Sequence, residues 1–387
     1  MIQRTSTLIA GLTLALLFVV SSACGSTARL IDPAGEAAVS VRAGQLIYIC
    51  NQSSASVSIV DATTLELVET VDLTKFGVDK NAKPHHIAVE PDGSFWYVSL
   101  IGANRVFKLN RENELVGQAE FEAPGLLALH PTRDLLFVGR SMMAVNPPQR
   151  IGMITRSDMA IEEVDVFFPR PHAIVIDPRG EYVFVGSLAE NRFLSYNIDT
   201  EAIELYNVDG PINTFVQFAI SPDAHTLVVG GQMTGKVFIY DITRVPAIQL
   251  VETLDVKAAP WHPVFSPDNR YVYLGNKMAN TISVIDMQTR KVAKLIEGEG
   301  ISQPHGSALS ADGRYLFVSN SNLPGGGQAM MKMMAPGGGG HDAHAGHAME
   351  PEKEEPGTLV VIDTKTDEIV KVIPLNLYPS GMGTNAR

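Results

Sequence analysis

The sequence predicts an all-β fold, a seven-bladed β-propeller of four-stranded antiparallel blades. Three observations predict it: a gapless internal repeat, a near-constant repeat period, and a two-residue alternation of apolar side chains within each copy. The plainest copies are KPHHIAVEPDGSFWYVS (83–99), RPHAIVIDPRGEYVFVG (170–186), APWHPVFSPDNRYVYLG (259–275) and QPHGSALSADGRYLFVS (303–319). APGLLALHPTRDLLFVG (123–139) and TFVQFAISPDAHTLVVG (214–230) match in the same register. The anchors are Pro84, Pro124, Pro171, Phe215, Pro260 and Pro304, each thirteen residues before the first residue of its YVS-like strand. Their spacings of 40, 47, 44, 45 and 44 residues are close to the ~40–45 of propeller blades. A half-copy at 46–73, LIYICNQSSASVSIVDATTLELVETVDL, brings the count to seven.

Each unit reads as an alternating apolar strand, a D-G or D-N type turn, a YVG-like strand, a VSVID-like strand and a charged outer strand. The first unit lacks its inner strand. Tyr378-Pro379-Ser380-Gly381-Met382-Gly383 is like an anchor segment and is one candidate to supply it; the stretch Gly35 to Gly44 is the other. YICN (48–51) with VSIVD (57–61), and YLGN (273–276) with ISVID (282–286), resemble the YVTN β-propeller repeat. The resemblance covers about residues 43–387 and implies a fold rather than an activity.

Composition narrows the function classes. Of 387 residues, 45% are hydrophobic and 19% charged, enough for a substantial core. Lys plus Arg number 30 against 42 Asp plus Glu, so the net charge of −12 excludes the basic footprint of a nucleic-acid binder. The two cysteines cannot make a disulfide framework or a four-cysteine zinc site. Cys50 shares a column with Ser99, Gly139, Gly186, Gly230, Gly275 and Ser319, which reads as a position demanding a small side chain. Arg4 followed by the apolar run Leu8 to Val20 reads as a signal peptide over 1–23. Ser21-Ser22-Ala23-Cys24-Gly25 resembles a bacterial lipobox, with Ser21 where the box has Leu. It implies lipidation at Cys24, a mature linker over 24–42 and a lipid anchor to a membrane in the periplasm or outer cell envelope. Ordinary cleavage after Ala23 is the alternative.

Two features point to a metal. The two positions after each anchor read His85-His86, Gly125-Leu126, His172-Ala173, Val216-Gln217, Trp261-His262, His305-Gly306 and Ser380-Gly381. Five of ten histidines therefore start inner strands, on blades two, four, six and seven, and are expected to converge at the channel mouth as metal ligands. Their placement is similar to that in the nitrous oxide reductase propeller, whose histidines hold a multinuclear copper centre. Five candidates are fewer than that centre uses, and no cysteine-rich electron-entry domain follows Arg387. The other feature is an insertion over 321–357 between the second and third strands of blade seven. It carries Met330, Met331, Met333, Met334, His341, His344, His347 and Met349. Thioether with imidazole is a copper ligand set, and topology puts this loop on the histidine face.

The expectation is an exported, membrane-anchored copper-binding propeller, with a cell-envelope protein as a possible partner. The alternatives are a metal-free interaction scaffold, a copper redox enzyme, and a lactonase on the same frame. No Glu/His/Arg set is placed for the last, and Gly-x-Ser-x-Gly, P-loop and HExxH motifs are absent. A haem d1 propeller has eight blades, against the seven counted here.

Overall fold

The computed structural model describes residues 44–144, 148–323 and 354–385. They form strands β1 to β28 in seven four-stranded antiparallel sheets, the predicted seven-bladed β-propeller. Two single-turn 3₁₀ segments, Gln52–Ser54 and Leu73–Phe76, are the helical elements among the described residues.

The innermost strands are β4 (Pro84–Val89), β8 (Pro124–Leu129), β12 (Pro171–Ile176), β16 (Phe215–Ile220), β20 (Pro260–Phe265), β24 (Pro304–Leu309) and β28 (Pro379–Thr384). The second and third strands of the blades are buried on both faces along most of their length, whereas outer strands such as β3 (Glu66–Asp72) stand largely in solvent. The core lies between blades, where neighbouring sheets stack apolar faces. The repeated Ser-x-Asp is a turn clasp: Ser221, Ser266 and Ser310 donate to Asp223, Asp268 and Asp312 at 2.5–2.6 Å. Each serine oxygen also accepts the amide that opens the second strand. The motif asparagines tie strand two to strand three, Asn51 donating to Ser56 and Ser58, Asn276 to Thr281 and Ser283.

The ring closes through its C-terminal strand. β28 pairs with β1 (Leu46–Asn51), Tyr48 opposite Gly383 and Asn51 opposite Pro379, so the last segment completes the first blade. Of the two segments the sequence left open, this is the one used.

Two devices recur around the ring. The residue before each anchor takes a left-handed backbone: Lys83, Ala123, Arg170, Thr214, Ala259, Gln303 and Tyr378 have φ between 44° and 60°. Immediately after it, every inner strand carries one extra residue relative to its partner. Pro84 faces Leu100 while Ile87 faces Val98, and the other six blades repeat this bulge. A bulge bends the strand and re-aims its side chains, and here it falls on the two positions that hold the histidines.

The small-residue column, on the second strands, is where each blade meets the inner strand of the next. A Cβ on Gly139 would come within 2.6 Å of the His172 carbonyl oxygen, and one on Gly275 within 2.8 Å of Pro304 Cβ. Ser319 uses the space to accept from the Gly306 amide at 2.9 Å and donate to the Ser380 carbonyl at 2.6 Å. Cys50 is fully buried in this column and unpaired by any disulfide, and burial pushes its thiol pKa up, as a packing thiol requires.

The closing strand gives a direct check on this apposition. A methyl group on Gly381 would lie 2.2 Å from the His85 carbonyl oxygen. Gly381→Ala is expected to lower unfolding free energy by about 1–3 kcal/mol in urea denaturation; an unchanged midpoint would contradict so close a contact.

Candidate functional site

The bulged starts of β4, β12, β20 and β24 bring all five predicted histidines of the column together. His172 lies 5.8 Å from His85 between ring centroids, His85 6.3 Å from His305, His305 5.1 Å from His262, and His262 6.0 Å from His86. The five are buried, at most 9% exposed, with His172 and His305 at 1%. Trp261 sits 4.4 Å from the His305 ring, edge to face, and Tyr378 6.1 Å away on the blade beside it. His262 itself has φ 43°, a strained backbone for a residue within a strand.

Hydrogen bonds set the tautomers. His172 Nδ1 is 2.7 Å from the Arg140 carbonyl oxygen, which can only accept, so Nδ1 carries the proton and Nε2 keeps its lone pair. His85 Nδ1 donates to Gln52 Oε1 at 3.3 Å with the same consequence. His86 is the reverse: its Nδ1 accepts from the Leu127 amide at 3.2 Å, which leaves the neutral ring as an Nε2–H donor. The buried His85 Nε2, His172 Nε2, His262 Nε2 and His305 Nδ1 have no hydrogen-bond partner, and neither do Lys277 Nζ, Trp261 Nε1 and Gln217 Oε1. Orphaned polar atoms are rare in folded interiors, and here they gather at one end of one channel.

Burial holds the imidazoles neutral. It pushes the pKa of His86 and of His172 down to about 4, and those of His85, His262 and His305 well below 6.5, with mutual repulsion and the nearby Lys277 adding to the effect. Lys277 is itself driven well below its usual range by burial; its Nζ stands 4.1 Å over the Trp261 ring and 5.4 Å from that of Tyr378. Lys277, Gln52 and Tyr378 were not picked out from sequence. Lys277 and Gln52 both directly follow the last residue of a second strand, so that column would have found them.

Arg140 braces the site from behind. Its buried guanidinium bonds Glu163 at 3.0 Å and the Glu122 carbonyl at 2.9 Å while its own carbonyl fixes His172. Among the described residues no three His, Cys, Asp or Glu side chains close around a single point as the structure stands. Neighbouring imidazoles on one tetrahedral ion would have centroids about 5 Å apart; of the four close pairs, His262 and His305 at 5.1 Å stand at that spacing.

The remaining predicted residues, Cys24, Met330, Met331, Met333, Met334, His341, His344, His347 and Met349, lie outside the described residues. The described roots of that insertion are at the histidine end of blade seven. Gln303, two residues before His305, bonds both the amide and the carbonyl of Leu323, and Asn322 donates to the Pro356 carbonyl. His130 is a buried turn residue whose Nδ1 accepts the Thr132 and Arg133 amides, and His225 is exposed beside Asp223. A cleft of about 370 Å³ between blades five and six, lined by Asp223, His225, Asp268 and Arg270, holds none of the five column histidines.

The profile of a family described as "Lactonase, 7-bladed beta-propeller" matches residues 216–336. A 6-phosphogluconolactonase of Erwinia tasmaniensis is 22% identical over 266 residues, 62% of this chain and 78% of that protein. A functionally unknown protein from Desulfotomaculum acetoxidans aligns with a TM-score of 0.63 at 14% identity, covering 87% of this chain and 98% of its own. The dihydro-haem d1 dehydrogenase NirN, in complex with DHE, aligns with a TM-score of 0.53 at 15% identity, covering 87% of this chain and 74% of its own. At such identities the structural likenesses establish the propeller and leave the chemistry of its channel to be argued from the residues.

The depressed imidazole pKa values fix a sign. Between the folded values and 6.5 the unfolded chain binds more protons than the folded one, so stability is complete above about pH 6.5 and falls as pH drops toward about 4. Urea unfolding of metal-free protein is expected to show a falling midpoint from about pH 7 to pH 5, and His85→Gln with His172→Gln should flatten that slope. A midpoint constant over this range would contradict the buried, neutral cluster.

Proposed function

We propose that this chain is an exported, lipid-anchored propeller that binds a transition metal, copper by ligand type, in the imidazole cluster of its channel. One observation carries the reading: four buried imidazole nitrogens, one from each of four blades, lack protein partners. In two of those rings the opposite nitrogen donates to a protein oxygen, the outer bond that metal-ligating histidines use to orient their lone pair. His85, His172, His262 and His305 are the ligands in this reading. His86, whose Nδ1 lone pair is occupied by the Leu127 amide, positions the group and offers an N–H. Neutral imidazoles need shed no proton to bind, so the site stays competent well into mild acid.

The Met/His insertion of blade seven is the second part of the proposal. Thioethers suit Cu(I), imidazoles both copper states, and a root of the loop bonds Gln303, two residues before His305. Cys24 supplies the anchor in the same reading. No reaction is needed for a protein that captures or passes on metal.

Lactone hydrolysis is the second reading, favoured by the family match over 216–336 and the 6-phosphogluconolactonase relative. A neutral buried imidazole is the form that acts as general base on water, and Lys277 would offer an N–H to the lactone carbonyl.

Titration of the purified protein with copper and zinc, read by calorimetry and elemental analysis, tests the proposal. His85→Gln, His172→Gln and His305→Gln together are expected to abolish the tight site and spare the insertion's capacity. Deleting Met330 to Met349 should do the opposite and leave the melting temperature unchanged. Copper binding unaffected by either change would end the metal reading, and turnover of 6-phosphogluconolactone by metal-free protein, lost in the triple variant, would replace it with the hydrolase.

A further inference from the structure

We propose that Lys277 is a carbamylation site: carbon dioxide adds to its Nζ and brings into the imidazole cluster the negatively charged oxygen that the cluster lacks. The inference deepens the metal reading above and rests on it for the use made of that oxygen, although the modification has a readout of its own.

The isolation of the amine is the first observation. Lys277 directly follows the second strand of blade six, where the other blades place glutamine, serine, isoleucine or leucine, and it is 2% exposed. Its amide donates to the Ala259 carbonyl at 2.9 Å, which fixes its root beside the anchor Pro260. Its Nζ stands 4.1 Å over the Trp261 ring and 5.4 Å from that of Tyr378, and it has no hydrogen-bond partner. Lys108, the other buried lysine among the described residues, donates to the Arg156 carbonyl at 2.7 Å. An ammonium has only donors to offer, and two aromatic faces offset only part of the cost of taking its charge out of water. The neutral amine is therefore the resting form, in agreement with the downward pull of burial on its pKa. That form carries the lone pair that attacks carbon dioxide.

The second observation is a missing anion. No carboxylate acts on Lys277 or on any of the five imidazoles, whose charged and chargeable neighbours are one another, Lys277 and Arg170. Glu354 acts on Tyr378, and Lys277 is in no ion pair among the described residues. A divalent ion held by neutral imidazoles alone would keep its whole charge in a buried space. A carbamate removes part of that charge and completes the nitrogen and oxygen set that suits Cu(II). His305 is the ring on which it would act first. Lys277 influences His305 more than any other charged neighbour does, and Trp261 and Tyr378, the two rings beside Nζ, stand 4.4 and 6.1 Å from the His305 ring.

The step balances without a further reagent. The Nζ lone pair forms an N–C bond to carbon dioxide, one C=O π pair moves onto oxygen, and an Nζ proton leaves to water. Nothing is oxidised or reduced. Carbon dioxide is small and uncharged, so a buried amine is open to it where larger electrophiles are excluded.

Carbon-13 NMR of the full chain under labelled carbon dioxide, with and without saturating Zn(II), tests the site. A carbamate resonance separate from that of bicarbonate is expected, and alkylation of the carbamate followed by mass spectrometry should place it on Lys277 in the unaltered protein. Copper(II) should bind severalfold more tightly with bicarbonate present than in buffer freed of carbon dioxide. Lys277→Met keeps the apolar stem and removes the amine, so it should fold, lose the resonance and lose the bicarbonate response while keeping its metal stoichiometry. No carbamate on Lys277 with or without Zn(II), or a resonance and a bicarbonate response unchanged in Lys277→Met, overturns the proposal and leaves the amine packed on two rings; copper still bound by the imidazoles would then keep the metal reading. A carbamate on Lys277 in a protein whose imidazoles take no metal upholds the modification and removes the metal reading.

Discussion

One extra residue at the start of each inner strand is the constraint on which the structure turns. Without it, side chains at successive positions would alternate between the faces of a blade, and two adjacent histidines could not serve one site. The bulge, set behind a left-handed residue in all seven blades, breaks that alternation where the strands come closest to the axis. Small side chains one strand out allow the approach; where the column is glycine, the next blade's backbone or anchor occupies the space of a missing Cβ. The same geometry that closes the ring also builds the site.

The site is unusual for a folded interior: seven buried polar atoms at the histidine end of the channel have no protein hydrogen-bond partner. Lys277 sharpens the contrast, a buried amine with an aromatic ring beneath it and no hydrogen-bond partner. Such concentrations of orphaned and pKa-shifted groups mark functional sites more often than random packing faults.

The fold was legible because propeller blades repeat, and a gapless repeat of anchor, turn and strand survives in residues such as Pro304, Asp312 and Phe317 even where most side chains differ. The histidine column was legible for the same reason, since register alone places His85, His172 and His305 one residue after their anchors and His86 and His262 two residues after theirs. Burial was not: His305, for one, packs against Trp261 and against Tyr378, the residue before the closing strand and far away in sequence. Nor could sequence distinguish His86 from its neighbour His85. That difference lies in a single amide, Leu127, on the adjacent blade and an amide oxygen, Gln52, on the other side. Tautomers are set by three-dimensional partners and leave no trace in spacing.

Anomalous scattering from crystals of the copper-loaded protein, measured on either side of the copper edge, tests the central claim most directly. The account predicts a peak within the channel at about 2.0–2.1 Å from nitrogens of at least two among His85, His172, His262 and His305, with Nδ1 of His172 still bonded to the Arg140 carbonyl. Copper found only away from these rings, with their nitrogens bonded to water or to an organic ligand instead, would contradict it.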